Sequence, residues 1–262
     1  MSETGAPKTA LIIYFSQTGA TRRVAEGIRR GLEAAGVPAR AVPLAEARPE
    51  MAAEADLLGI GTPVFYYKEP TLVRALLARL PATRRKPAFT FITHGGNPVN
   101  TLARLQKQLA RRGYTVLSSF TALGYDTYPM YFKDFREWGR PNADELRLAA
   151  EFGQRLPGDV RRFREDRRFA LPRYQFVGGP YFFRSMICRG GMMKRIFPRL
   201  LADEKLCTRC GACRKNCPTG AITLSPYPRI DNKCMWCYLC ERICPVQAFR
   251  TDWEPLRKKL KI

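Results

Sequence analysis

The chain has 262 residues, 45% of them hydrophobic and 11% aromatic, which excludes global disorder and leaves room for one medium domain and a smaller one. Lys and Arg number 45 against 23 Asp and Glu, a formal net charge of +22, yet no nucleic-acid motif accompanies that charge and specific nucleic-acid binding is not expected. No run of about 18 apolar residues offers a membrane span, and the opening MSETGAPK lacks a basic segment followed by an apolar one, so no export signal and a cytoplasmic location are expected.

Residues 9–15, TALIIYF, are a continuous apolar run with β-branched members, as suits a strand buried on both faces. Residues 20–36 follow with Val24, Ile28 and Leu32 at helical spacing and a glycine at 36. Strand-like runs recur at 39–44, 56–61, 88–93 and 115–123. Helical patterns lie at about 69–80 and 98–112, and after residue 142. Strands alternating with helices predict an α/β fold, a doubly wound five-stranded parallel sheet of order 2-1-3-4-5, over residues 1–154.

Residues 155–199 differ in character. They hold twelve basic and three acidic residues. Aromatics are interleaved (Phe163, Phe169, Tyr174, Phe176, Tyr181, Phe182 and Phe183), and Pro172, Pro180 and paired glycines break any long helix. The segment reads as a basic, aromatic-rich connector that packs across two domains, with peripheral membrane contact as the lesser alternative because no amphipathic period is visible.

Of nine cysteines, eight lie between Cys207 and Cys244. Residues 207–218 read CTRCGACRKNCP and residues 234–245 read CMWCYLCERICP; both are C-x2-C-x2-C-x3-C-P. That run serves two [4Fe–4S] clusters, with the fourth cysteine of each run ligating the other cluster. The expected sets are Cys207, Cys210, Cys213 with Cys244, and Cys234, Cys237, Cys240 with Cys217. Gly211 helps the first loop turn, and Pro218 and Pro245 stop each run from continuing as helix. The sequence AITLSPYPRI between the runs offers a short hairpin. Val246-Gln247-Ala248-Phe249 echoes Thr219-Gly220-Ala221-Ile222, an internal repeat. Zinc is the competing metal, but zinc ribbons pair C-x2-C knuckles rather than triplets followed by Cys-Pro. Cys188 lies outside both runs and reads as an idle thiol. The small α+β cluster domain is placed at 200–262.

The first strand runs directly into Ser16-Gln17-Thr18-Gly19-Ala20-Thr21 and then a helix. Hydroxyls and backbone N–H groups at a helix N-terminus form an anion site, although Ser and Thr there could instead cap the helix. No lysine follows the glycine, so the loop suits the single phosphate of FMN better than a triphosphate. After the third strand come Thr62, Pro63, Val64, Phe65, Tyr66 and Tyr67. After the fourth come Thr93, His94, Gly95, Gly96 and Asn97. Both loops lie at carboxyl strand ends, where such sheets bind ligands.

On these motifs residues 9–154 resemble flavodoxins, and residues 202–252 resemble bacterial two-cluster ferredoxins. The whole chain resembles the flavodoxin–ferredoxin fusion proteins found largely in anaerobic bacteria. The first resemblance implies FMN, with Ser16, Thr18, Gly19 and Thr21 on its phosphate. It places Thr62, Pro63, Val64 and Phe65 on one side of the isoalloxazine and Gly95, Gly96 and Asn97 on the other. The stretch Tyr125-Asp126-Thr127-Tyr128-Pro129-Met130-Tyr131 offers no obvious match for a ring-stacking residue. His94, the only histidine, is assigned no catalytic role. The expected function is electron transfer between FMN, two [4Fe–4S] clusters and a separate redox enzyme. The +22 charge then suits attraction to an acidic redox partner protein. The alternative is a flavin-dependent reductase acting on its own small substrate. The absence of a G-x-G-x-x-G fingerprint and of an acid–base pair near the flavin loops favours the carrier.

Overall fold

An apolar strand with no polar face must be covered on both sides, and the opening run meets that demand as β1, Ala10–Tyr14, buried at all five positions. The computed structural model describes residues 5–98, 100–125, 139–166, 168–170, 197–198 and 200–260. In the N-terminal unit the chain continues as α1 (Ala20–Ala34), β2 (Ala39–Pro43), α2 (Met51–Glu54), β3 (Leu57–Pro63), α3 (Thr71–Arg79), β4 (Lys86–His94), α4 (Thr101–Arg111), β5 (Tyr114–Leu123) and α5 (Ala143–Glu165). The strands pair in parallel in the order β2-β1-β3-β4-β5. This is the doubly wound flavodoxin-like sheet that the strand–helix alternation predicts.

The sheet's core follows from the two periods of its elements. Even-numbered β1 residues Ala10, Ile12 and Tyr14 meet Val24, Ala25, Ile28 and Leu32 from one stripe of α1. Helix α5 completes that layer with Phe152, Leu156, Val160 and Phe163. Helices α3 and α4 pair with each other, and α4 lies on β4 and β5.

Helix α5 starts at a capping box. The Glu145 N–H donates to Asn142 Oδ1 (3.1 Å) and the Asn142 N–H to Glu145 Oε2 (2.7 Å). The other oxygen, Glu145 Oε1, accepts from the Leu123 N–H (3.1 Å), which ties the cap to the end of β5. The boundary expected at residues 154/155 falls inside this helix, and Leu156, Val160 and Phe163 beyond it belong to the core of the N-terminal unit. Most of the expected connector, with Pro172, Pro180, Tyr174 to Phe183 and Cys188, lies outside the described residues.

Helices α1 and α5 touch through backbone. A Cβ on Gly31 would sit 2.0 Å from the Ala150 carbonyl oxygen, and one on Gly153 would sit 2.2 Å from the Ile28 carbonyl oxygen. Only glycine fits at that crossing.

The C-terminal unit contains α6 (Ala212–Lys215), the antiparallel hairpin β6 (Ile222–Leu224) and β7 (Pro228–Ile230), α7 (Leu239–Arg242) and α8 (Glu254–Leu260). The hairpin falls within AITLSPYPRI, where the sequence places it. Leu200, Ile222, Tyr238, Phe249, Trp253 and Leu256 form its apolar core together with Cys213 and Cys240.

Candidate cofactor sites

Because β1, β3 and β4 are adjacent and parallel, the loops leaving their carboxyl ends converge. The first contains Ser16, Gln17, Thr18 and Gly19. Gly19 stands ahead of α1 at φ 92° as its N-cap residue and has no side chain with which to cap the helix. Ser16 Oγ is buried without a hydrogen-bond partner among the described residues. A buried hydroxyl left in that state costs about 1–3 kcal/mol, which an accepting phosphate oxygen would remove. An unpartnered hydroxyl beside a helix N-terminus fits the phosphate of FMN. Thr18 is exposed, while Ala20 and Thr21 are buried. The Thr21 hydroxyl lies 2.9 Å from Thr93 Oγ1 and so joins the first loop to the end of β4.

The second loop is fastened to the third by the Val64 N–H, which donates to the Thr93 carbonyl (2.9 Å). Thr62 Oγ1 donates to the Pro63 carbonyl (3.0 Å). Phe65 and Lys68 then exchange backbone hydrogen bonds of 2.8 and 3.1 Å across a two-residue turn. Its central residues, Tyr66 (φ 52°) and Tyr67 (φ 66°), both take the left-handed conformation. Without glycine that costs about 1–2 kcal/mol per residue, the kind of strain that collects at ligand-binding loops. The Phe65 ring meets Phe15 edge-on at 6.2 Å.

In the third loop His94 Nδ1 accepts from the Gly96 N–H (3.1 Å), which puts the proton of a neutral His94 on Nε2. The His94 carbonyl accepts from the Gly124 N–H (2.9 Å), and Gly96 has φ 116°. Gly95 and Asn97 are half-buried beside it. Of the stretch from Tyr125 to Tyr131, Tyr125 is described and residues 126–131 lie outside the described residues. A brace that sequence reading missed stands behind these loops. The fully buried Glu69 carboxylate accepts from Arg104 Nε (2.7 Å), Arg104 Nη2 (2.9 Å) and Gln108 Nε2 (3.1 Å), joining the start of α3 to α4.

In the C-terminal unit none of the eight cysteines of the two runs is in a disulfide. Among the described residues no three His, Cys, Asp or Glu side chains converge on a single metal-ion position. The thiols instead surround two hollows. Cys207, Cys210, Cys213 and Cys244 line one. Cys217, Cys234, Cys237 and Cys240 line the other. Each hollow thus takes three cysteines from one run and one from the other. Ala221 N–H donates to Cys217 Sγ (3.3 Å) and Ala248 N–H to Cys244 Sγ (3.2 Å), the same bond in each half.

The halves repeat in backbone geometry as well. Left-handed residues recur at matching positions, Arg209 with Trp236 (φ 56° and 55°), Gly211 with Tyr238 (76° and 53°), and Gly220 with Gln247 (62° and 49°). Burial pushes the Cys234 thiol up to about 11, and it also raises Cys213 and Cys240. Buried thiols favour their neutral form, so any iron held here would itself have to stabilise the thiolates. Four thiolates around each hollow are the donor set a [4Fe–4S] cluster requires.

The chain matches the flavodoxin family model over residues 12–138 and the 4Fe–4S binding domain model over residues 201–223, a stretch that contains the first cysteine run. No curated protein sequence matches it. Among solved structures it is similar to a flavodoxin from the domain Archaea (18% identity, 58% of this chain and 98% of that one, TM-score 0.44). It is also similar to a Streptococcus pneumoniae flavodoxin (14%, 58% and 99%, TM-score 0.46). A third is the flavodiiron protein of Giardia intestinalis (16%, 63% of this chain, TM-score 0.47), of whose chain only 39% is covered. Within the described residues no helix is long and apolar enough to cross a membrane. The chain therefore carries a flavodoxin domain followed by a 4Fe–4S binding domain, the order of a flavodoxin–ferredoxin fusion, and its domains indicate electron transfer involving flavin and iron–sulfur.

Proposed function

We propose that this chain is an electron carrier that holds one FMN and two [4Fe–4S] clusters and exchanges electrons with a separate, acidic redox enzyme. The observation that carries the reading is the crosswise sorting of eight thiols into two hollows of matched backbone geometry. It supports a second cluster beside the one whose motif matches a family model. When bound, FMN accepts two electrons and releases them singly, while a cluster accepts one.

The chain's own residues would position these groups. Ser16 and the head of α1 would take the flavin phosphate. Thr62, Pro63, Val64 and Phe65 would line one side of the ring and Gly95, Gly96 and Asn97 the other. Cys207, Cys210, Cys213 and Cys244 would hold one cluster, and Cys234, Cys237, Cys240 and Cys217 the second. The flavin unit in this reading extends through the end of α5, and the cluster unit occupies 200–262. The +22 charge supports an acidic partner by raising encounter rates at low salt.

Anaerobic assay of iron, acid-labile sulfide, zinc and released flavin tests the cofactor content. About eight iron, eight sulfide and one FMN per chain are expected. Zinc without sulfide would overturn the iron–sulfur half, and clusters without flavin would overturn the flavin half.

A further inference from the structure

The two cluster hollows are built alike but close differently. At the position where the first run has Gly211, the second has Tyr238 in the same left-handed conformation, φ 53° against 76°. A tyrosine pays a backbone penalty there that glycine does not. Its ring lines the second hollow, and Tyr238 is 1% exposed, the largest fully buried side chain among the described residues. Trp253 packs on it at 4.8 Å, tilted 63°, and Phe197 backs Trp253 at 6.3 Å. The Leu256 N–H donates to the Trp253 carbonyl (3.1 Å), which joins this layer to α8.

Every residue that lines the second hollow is buried or half-buried. The first hollow is lined by exposed Thr208, Arg209, Cys210, Pro245 and Val246. Arg209 also brings a positive charge to that rim, with its guanidinium 6.0 Å from the Tyr227 ring.

The second hollow has a cation of its own, since Arg242 Nη1 donates to the Cys237 carbonyl (3.3 Å), so the difference that separates the two sites is access to water. Reduction adds negative charge to a site already surrounded by thiolates. Water and a nearby cation favour the added charge, and a dry apolar wall opposes it. We infer that Tyr238 is a positioning residue that seals the second cluster site from water, so that the site of Cys234, Cys237, Cys240 and Cys217 has the lower reduction potential and the site of Cys207, Cys210, Cys213 and Cys244 the higher. This rests on the two-cluster reading above.

The test is an EPR-monitored redox titration of the full holoprotein, after an iron and sulfide count. A count short of two clusters would remove the two-cluster reading itself. With two clusters present, two separate midpoints are expected, and the lower-potential signal should show the weaker deuterium coupling after exchange into D2O. Coincident midpoints, or equal deuterium couplings, would overturn the inference. Tyr238→Gly should move the lower midpoint upward and leave the upper in place, whereas Tyr238→Phe, which keeps the ring, should move neither. Arg209→Gln should lower the upper midpoint alone. If Tyr238→Gly loses iron, the wild-type couplings together with Tyr238→Phe and Arg209→Gln decide the matter. A shift in Tyr238→Phe would assign the effect to the hydroxyl and refute the seal.

Discussion

Ser16→Ala separates a ligand-binding hydroxyl from a structural one, because the two roles predict opposite signs in the flavin-free chain. Ser16 Oγ is buried with no partner among the described residues. Removing it from the flavin-free protein therefore breaks no hydrogen bond and relieves an unsatisfied polar atom, so stability should hold or rise by up to about 3 kcal/mol. With FMN bound, the same change deletes one hydrogen bond to a charged phosphate. Such bonds contribute about 1.5–3 kcal/mol, which corresponds to about 10- to 150-fold weaker flavin binding. The assay is a titration of cluster-loaded, flavin-free protein with FMN, followed by quenching of flavin fluorescence at fixed ionic strength. Thermal unfolding without flavin is recorded alongside. Unchanged FMN affinity would remove Ser16 from the phosphate site. A flavin-free variant destabilised by more than about 1 kcal/mol would show that the hydroxyl is structural after all.

Two further changes probe the scaffold. Arg104→Ala would strand the Glu69 carboxylate, whose side chain is 0% exposed, with Gln108 Nε2 still donating to it; the expected loss is about 3 kcal/mol, measured by urea unfolding with circular dichroism. An unmoved midpoint would show that the pair contributes nothing net. Burial raises the Tyr114 phenol above its ordinary value, and its hydroxyl is buried without a partner among the described residues. A raised folded-state pKa means that the neutral phenol stabilises the fold below the unfolded value of about 10, and that this contribution is lost as pH rises through the folded-state value. Tyr114→Phe should therefore resist alkaline unfolding better than wild type, with phenolate absorbance as the check. Identical alkaline midpoints would refute that assignment.

Residue types that act locally announced themselves in the sequence. The unbroken apolar run at β1, the helical spacing of Val24, Ile28 and Leu32, and the C-x2-C-x2-C-x3-C-P runs each carry their geometry within a dozen residues. Residues joined only by the fold did not. Glu69 lies 35 residues from Arg104, and nothing local marks it as buried. Helix α5 was legible at its start, where Asn142 precedes Glu145 by three, but Pro157, Gly158 and an arginine-rich stretch disguised its continuation to Glu165. Its apolar stripe through Leu156, Val160 and Phe163 keeps the helical interval and would have extended it. The Tyr238 seal needs both the register between the two cysteine runs and the return of Trp253, and only the first of these can be read from the letters.

The crossing of α1 and α5 has a mechanical consequence. Gly31 meets the Ala150 carbonyl with no side chain between them, so the contact is a hard stop rather than a compressible cushion. Helix α1 also carries Gly19 and the Ser16 loop at its head, twelve residues and about 18 Å along the rod. A rod clamped that far along by rigid peptide planes transmits any displacement at the clamp to its tip. The aim of the loop at the head of α1 is thereby set from the opposite end of the helix, and a single methyl group added at residue 31 would tilt a loop that it never touches.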